Sequence, residues 1–251
     1  MELRFNGVSL AEAVPNAFIE HFPNFVHAEK DLSITPVPGR NGDVVFDDGT
    51  YRNVLISYPI AIKGSVQDLG TYQDKLYAWL HPMDEGQNGY YVLENDQDLT
   101  TYRLGFAYGG AEFENIYGRN TRGTITFDCR PEKFFRNISP LRFTSSGTID
   151  NRNYHYPAHP DITLTVSGTG TLTIYQTGGN MYRVQISNLT NTVYIDGDSQ
   201  DAYLADGTNV NNKIEISGVG CMPILEPGII QSVTLTGNIS AVTIDPRYYT
   251  I

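Results

Sequence analysis

Cysteine is nearly missing: Cys129 and Cys221 are the only two in 251 residues, and neither stands in a CxxC or similar spacing. Neither a disulfide framework nor a zinc site is expected. Two buried free thiols suit a chain that assembles in a reducing cytosol. Basic residues are scarce as well. Lys and Arg number 17 against 28 Asp and Glu, which gives a net charge of -11 and a pI near 4.8. Up to residue 140 the chain carries 12 basic and 19 acidic residues, or -7; beyond it the counts are 5 and 9, or -4. Both halves are acidic and no Lys/Arg cluster occurs. Tight binding to nucleic acid requires such a cluster to meet the phosphates, so it is not expected. An acidic surface instead repels DNA and lets it slide past.

Long apolar runs are absent too. None reaches the roughly 18 residues of a membrane helix, and the start, MELRFNGVSL, lacks the apolar stretch of an export signal. GxSxG, HExxH and GxxxxGK[ST] do not occur. His155 and His159 have the spacing of a metal pair, but Pro157 and Pro160 interrupt any helix that would align them. His21 and His27 stand six apart in a strand-like stretch, too far separated for one metal. Asp96 with Asp98, or Glu112 with Glu114, could pair on a strand face as glycosidase carboxylates do; solvated turn residues explain them as well. In IDGDSQDAYLAD, Asp196, Asp198 and Asp201 could offer oxygens to calcium. That loop lacks the central Gly and terminal Glu of an EF-hand, and turn chemistry accounts for its acids. No catalytic residue, cofactor or metal is expected.

What is abundant is Tyr, Gly and Pro, at 17, 24 and 13 residues. Tyr suits strands, while Gly and Pro punctuate turns, so many short strands are expected. Strands are read at Ser33–Val37, Val44–Phe46, Val54–Lys63, Gly89–Leu93, Thr101–Tyr108, Phe113–Tyr117 and Arg122–Cys129, the last closed by Pro131. Gly39, Asn41-Gly42 and Asp48-Gly49 are turn signals, and Asp48-Gly49 could turn a protruding hairpin. One helix stands out in SVQDLGTYQDKLYAWLHP. Leu69, Tyr72, Leu76 and Leu80 share a face, Ser65 and Asp68 cap the start, and Pro82 ends it. Trp79, the sole tryptophan, is expected to anchor a core.

Residues 131–157 read as a linker with a domain boundary near 145–155. Beyond them a two-residue period recurs at Ile162/Leu164/Val166, Leu172/Ile174, Val184/Ile186, Val193/Ile195, Ile214/Ile216, Val233/Leu235 and Val242/Ile244. Gly-rich turns are read at SGTGT, TGGN, IDGD, ADGTN and PGI. Strands at this spacing imply an antiparallel β-sandwich.

Several stretches together resemble the distal tail protein (Dit) family of siphophages. In the first half they are PGRNGDVVFDDGTYRN, the helix ending in YAWL, YVLENDQDLTTYRLGFAY and TITFDCRPEKF. In the second they are YPAHPDITLTVSGTGTLTI, VYIDGDSQDAYLADG and EPGIIQSVTLTGNISAVTIDPRYYTI. The resemblance implies a mainly β protein of two domains. Residues 1–145 would be a tail-tube-like domain with one α-helix and a hairpin or belt, and residues 150–251 a galectin-like antiparallel β-sandwich. It further implies a non-enzymatic homo-hexameric ring at the virion's tail tip, assembled in the bacterial cytoplasm. The ring would join the tail tube protein to the tail-associated protein, with the tape measure protein as a further partner and DNA passing through its lumen. Receptor-binding proteins stay an open additional partner. Arg40, Asp47, Asp48, Gly49, Tyr51 and Arg52 are the candidate belt, in a turn-rich hairpin that carries both charge signs. The alternative is a carbohydrate-binding sandwich that aids adhesion to the host surface, with Tyr175, Tyr182, Tyr194 and Tyr203 as its candidate aromatics.

Overall fold

Turn chemistry at the N-terminus sets the first elements. Asn6 and Gly7, both at positive φ, turn β1 (Leu3–Phe5) back onto β2 (Val8–Ser9). The Ser9 hydroxyl then caps a single turn of helix, α1 (Leu10–Ala13), by accepting from the Glu12 amide at 3.2 Å. The computed structural model describes residues 2–251 except 25, 84, 85, 87, 111, 112, 117–119, 177 and 220, and of Val66 and Asn115 the backbone alone. Contacts divide the chain into two units, Met1–Arg136 with Ile251, and Asn137–Thr250.

The first unit continues with β3 (Ala17–Ile19), β4 (Lys30–Thr35), β5 (Val44–Tyr51), β6 (Val54–Lys63), α2 (Val66–Leu80), β7 (Tyr91–Asn95), β8 (Thr101–Ala107), β9 (Phe113–Ile116) and β10 (Asn120–Phe135). Its main sheet runs β2-β1-β7-β8-β10-β6-β3, with β9 on the free flank of β10. Alternation along β10 sends Ile125, Phe127 and Cys129 to one face, where Tyr58, Ile60 and Ile62 of β6 meet them. α2 covers that face with the stripe its spacing implies: Leu69, Leu76 and Leu80 are buried and Tyr72 packs at the margin. Trp79 is buried as expected. It meets Phe5 and Phe127 edge-on, with centroids 5.8 and 6.4 Å away, and its indole donates to the Val8 carbonyl at 3.0 Å. Ser65 stands at the N-cap, but its hydroxyl donates to the Asp68 carboxylate at 2.6 Å and caps no backbone amide.

Pro131 does not close β10. The strand continues to Phe135 past a bulge, in which residues 130–132 stand opposite Leu104 alone. The bulge places the proline, which has no N–H, where no ladder bond is required of it.

The stretch expected as a linker holds two strands, β11 (Leu141–Phe143) and β12 (Gly147–Asp150), both paired with the second unit's last long strand. The division therefore falls at Arg136/Asn137, ahead of residues 145–155. The second unit continues with β13 (Asp161–Tyr175), β14 (Met181–Ile195), β15 (Ala202–Tyr203), β16 (Ile214–Gly218) and β17 (Ile230–Asp245). Six of the short strands expected there are in fact the halves of three long ones. SGTGT is no turn but a bulge within β13, opposite Asn188 of β14 and Gly237-Asn238 of β17. Gly237 has φ +71, and a Cβ there would meet the Thr169 carbonyl oxygen at 2.6 Å, so only glycine fits. At these breaks the sheet folds over. One layer is β11, the second half of β17, the first half of β13, the second half of β14, and β15. The other is β12 with the remaining halves and β16. Ile162, Leu164, Val193, Val242 and Ile244 of one layer and Leu172, Ile174, Val184, Ile186 and Val233 of the other are all buried, which makes a two-layered antiparallel sandwich.

Candidate functional site

β4 and β5 form a two-stranded sheet of their own, unpaired with the rest of the first unit. Because partners across an antiparallel pair share a face, Leu32, Ile34, Val45 and Asp47 lie on one side of this ribbon. Ser33, Phe46, Thr35 and Val44 lie on the other. Ile34, Val45 and Phe46 are 59%, 56% and 57% exposed, and Leu32 and Val37 are exposed as well. Isolated hairpins are marginal in water, and neighbouring exposed apolar side chains on a strand mark a contact surface. Each Val, Ile or Phe moved from water into a packed contact contributes about 1.5–3 kcal/mol.

The ribbon is tied at its root. Lys30 pairs with the Asp47 carboxylate at 2.5 Å and lies over the Tyr51 ring at 5.9 Å. Arg52 donates to Asp31 through Nη2 at 2.6 Å and Nε at 3.1 Å. The Arg52 amide donates to the Glu29 carbonyl at 2.9 Å, closing the two legs. The Lys30 bond, followed by the Gly49 amide, holds the Asp47 carboxyl below the ordinary carboxylate range. The bond to Asp31 raises the Arg52 guanidinium above its ordinary value.

The sequence-derived belt residues all belong to this arm, in another arrangement. Asp47, Asp48, Gly49 and Tyr51 lie within β5, Arg52 follows it, and Arg40 sits in the 36–43 connection. Asp48-Gly49 is therefore not the hairpin turn; Gly39 and Gly42, at φ +78 and +84, serve the 36–43 connection. Gly49 has φ +75, and its amide donates to the carboxylate of its own strand's Asp47 at 2.9 Å, beside the register shift opposite Asp31. Sequence reasoning missed β4 as the arm's other half, although the alternation of Leu32 and Ile34 with Asp31 and Ser33 marks it.

The remaining candidates are occupied locally. Asp98 lies in the β7–β8 turn, not on a strand face. Burial opposes its charge, but bonds from the amides and hydroxyls of Thr100 and Thr101 outweigh that and bring its carboxyl to about 2. The Glu112–Glu114 pair involves a residue outside those described. The Asp196 carboxylate accepts the Asp198 and Ser199 amides, Asp201 accepts from Asn211, and Asp198 is ion-paired with Arg247 at 2.7 Å. Among the described residues no cluster is arranged to hold a metal. His155 and His159 sit in irregular chain. Cys129 is buried, which pushes its thiol up to about 12, while Cys221 is only partly buried; both are free. Of the tyrosines, Tyr182 is buried and donates to Glu226 at 2.7 Å. Tyr194 and Tyr203 stack on each other at 5.8 Å, and Tyr175 is exposed at the end of β13.

No family model and no curated protein matches the chain in sequence. Among solved structures it matches the crystal structure of SPP1 Dit (gp 19.1), described as a paradigm of the hub adsorption apparatus in phages that infect Gram-positive bacteria. The TM-score is 0.69 at 12% identity, over 97% of this chain and 98% of that one. Architecture agrees over nearly the whole length of both chains while few residues coincide, and the fold of this chain is the Dit fold.

Proposed function

We propose that the protein is a structural component of a phage distal tail, in which the first unit of each copy joins its neighbours through the β4–β5 arm to close a ring. The observation that carries this reading is the arm: a ribbon detached from its own sheet, with apolar side chains exposed on both faces, in a chain of Dit fold. A ring of six copies is the expected closure, with the second unit a galectin-like sandwich. The tail tube protein, the tail-associated protein and the tape measure protein are the proposed partners, with receptor-binding proteins as possible cargo of the second unit. The location is the tail tip of the virion, after assembly in the host cytoplasm. The chain's net charge of -11 agrees with a lumen past which DNA slides.

Negative-stain imaging of the purified protein, with its mass in solution, tests this. Six-fold rings are expected. Deleting Asp47–Gly49 removes the partner of Lys30 and shifts the register of β5, so the oligomer mass should fall while the monomer stays folded. A protein that stays monomeric at high concentration and in the presence of tail tube protein overturns the reading.

A further inference from the structure

The arm is joined to its sheet by two unequal legs. One is short: Arg52 and Asn53 lead directly into β6, with the Asn53 side-chain Nδ2 donating to the Tyr90 hydroxyl at 3.0 Å. The other, residues 20–29, is long, and its described residues are irregular. Its Glu20 amide donates to the Pro59 carbonyl at 3.0 Å, and Phe22 packs at the margin of the core. Beyond Phe22, among the described residues 23–28, only Val26 is hydrogen-bonded to the sheet, through its carbonyl and Arg103 Nη2 at 3.2 Å.

Arg103 is itself unusual. It lies on β8 facing the covered side of the sheet and is only 8% exposed. Its Nη1 donates to two backbone carbonyls, Arg130 at 3.1 Å and Pro131 at 3.0 Å. Both acceptors lie in the β10 bulge, where residues 130–132 stand opposite Leu104 alone. One guanidinium thus satisfies the bulge with one nitrogen and holds the arm's long leg with another. Its planar fork reaches carbonyls from two nitrogens at once, where a lysine ammonium has only one.

We infer that Arg103 is the positioning residue of the assembly arm: it fixes the direction in which the β4–β5 ribbon leaves the sheet by clamping Val26 to the β10 bulge. This rests on the arm's being the ring contact. The bulge then has a role beyond accommodating Pro131, because it carries the acceptors that seat the clamp. A clamped leg presents the ribbon already oriented, which lowers the ordering cost of docking onto the next copy.

Arg103→Lys separates the clamp from the fold, since an ammonium can still serve the Arg130 and Pro131 carbonyls while Val26 is released. Amide exchange across residues 26–31 of dilute monomer is expected to accelerate by on the order of tenfold, the worth of one charge-assisted bond. Exchange in β6 and β10 should be unchanged, and the oligomer's dissociation constant should rise by a similar factor. Arg103→Met should do the same or more. Unchanged exchange at 26–31 in both variants overturns the inference. So does global unfolding of the first unit by Arg103→Lys, which would make Arg103 a residue of the core alone. Should deleting Asp47–Gly49 leave the oligomer intact while the Arg103 variants still free the leg, the ring reading falls and the clamp stands.

Discussion

Ile34 and Val45 face each other across the β4–β5 ribbon, and each is more than half exposed, at 59% and 56%. Directly opposed β-branched side chains are the usual unit of strand pairing over a core; here, among the described residues, no core covers them. Replacing both by serine should therefore leave the monomer's stability within about 0.5 kcal/mol of the parent, as for exposed positions generally. Self-association should weaken by several kcal/mol, since two large apolar contacts are lost. Sedimentation velocity across a concentration series, beside a denaturant melt of the dilute protein, separates the two effects. A double-serine protein that associates as tightly as the parent would show that this face is not the contact.

Trp79 is the only tryptophan and sits among Phe5 and Phe127 in the first unit. Its emission should be blue-shifted in the native protein and should follow the unfolding of that unit alone, while far-UV circular dichroism follows both. Trp79→Phe keeps most of the buried area and loses the bond to the Val8 carbonyl, a cost of about 1 kcal/mol. Trp79→Ala should cost about 3–5 kcal/mol through the cavity it leaves. Near-equal costs for the two substitutions would mean that packing around the indole is not what holds α2 to the sheet.

Periodicity was readable where one face is covered. The Leu69, Tyr72, Leu76, Leu80 stripe and the alternation at Ile125, Phe127 and Cys129 lead directly to α2 and β10. It misled where strands are bulged. Burial falls at Val184 and Ile186 but then at Val193 and Ile195 within the single strand β14. An inserted residue shifts the alternation just as a turn between two strands would. Gly168 and Gly170 compounded this, because glycine marks turns and bulges alike. The arm was legible as a hairpin but not in its register. Asn41-Gly42 and Asp48-Gly49 carry the same kind of turn signature, and only pairing with β4 puts the second inside a strand. Arg103 gave no signal at all: a single arginine in TYRLGFA says nothing until the bulge supplies its acceptors 27 and 28 residues later.

Asp98 provides a pH handle on the β7–β8 turn. Its folded-state carboxyl is lowered to about 2 from an ordinary 3.8, so its contribution to stability is complete above that ordinary value and is lost as pH falls through about 2. Asp98→Asn retains an acceptor for the Thr100 and Thr101 amides but cannot accept from both hydroxyls. The variant should melt below the parent at pH 7, and the gap should close progressively between about pH 4 and pH 2. A constant gap across that range would assign the effect to shape and not to charge.

Arg247 anchors the end of the second unit between two carboxylates, Asp198 at 2.7 Å and Asp161 at 3.3 Å, with its own side chain only 7% exposed. Burial works against its charge, yet the two acids overcome this and leave the guanidinium above its ordinary value. Removing one partner of a buried pair costs more than the pair contributes, because the other charge is left behind without its neighbour. Arg247→Met should therefore destabilise the second unit by about 3 kcal/mol. Adding Asp198→Asn should recover part of that loss, since the orphaned carboxylate is then neutral. The same geometry predicts that millimolar calcium leaves the parent's melting temperature unchanged, because the Asp198 oxygen it would need is already held by Arg247. Differential scanning calorimetry of the parent, the single variant and the double variant, each with and without calcium, measures all of this. A double variant no more stable than Arg247→Met would show that packing of the arginine stem, and not the uncompensated Asp198 charge, sets the cost.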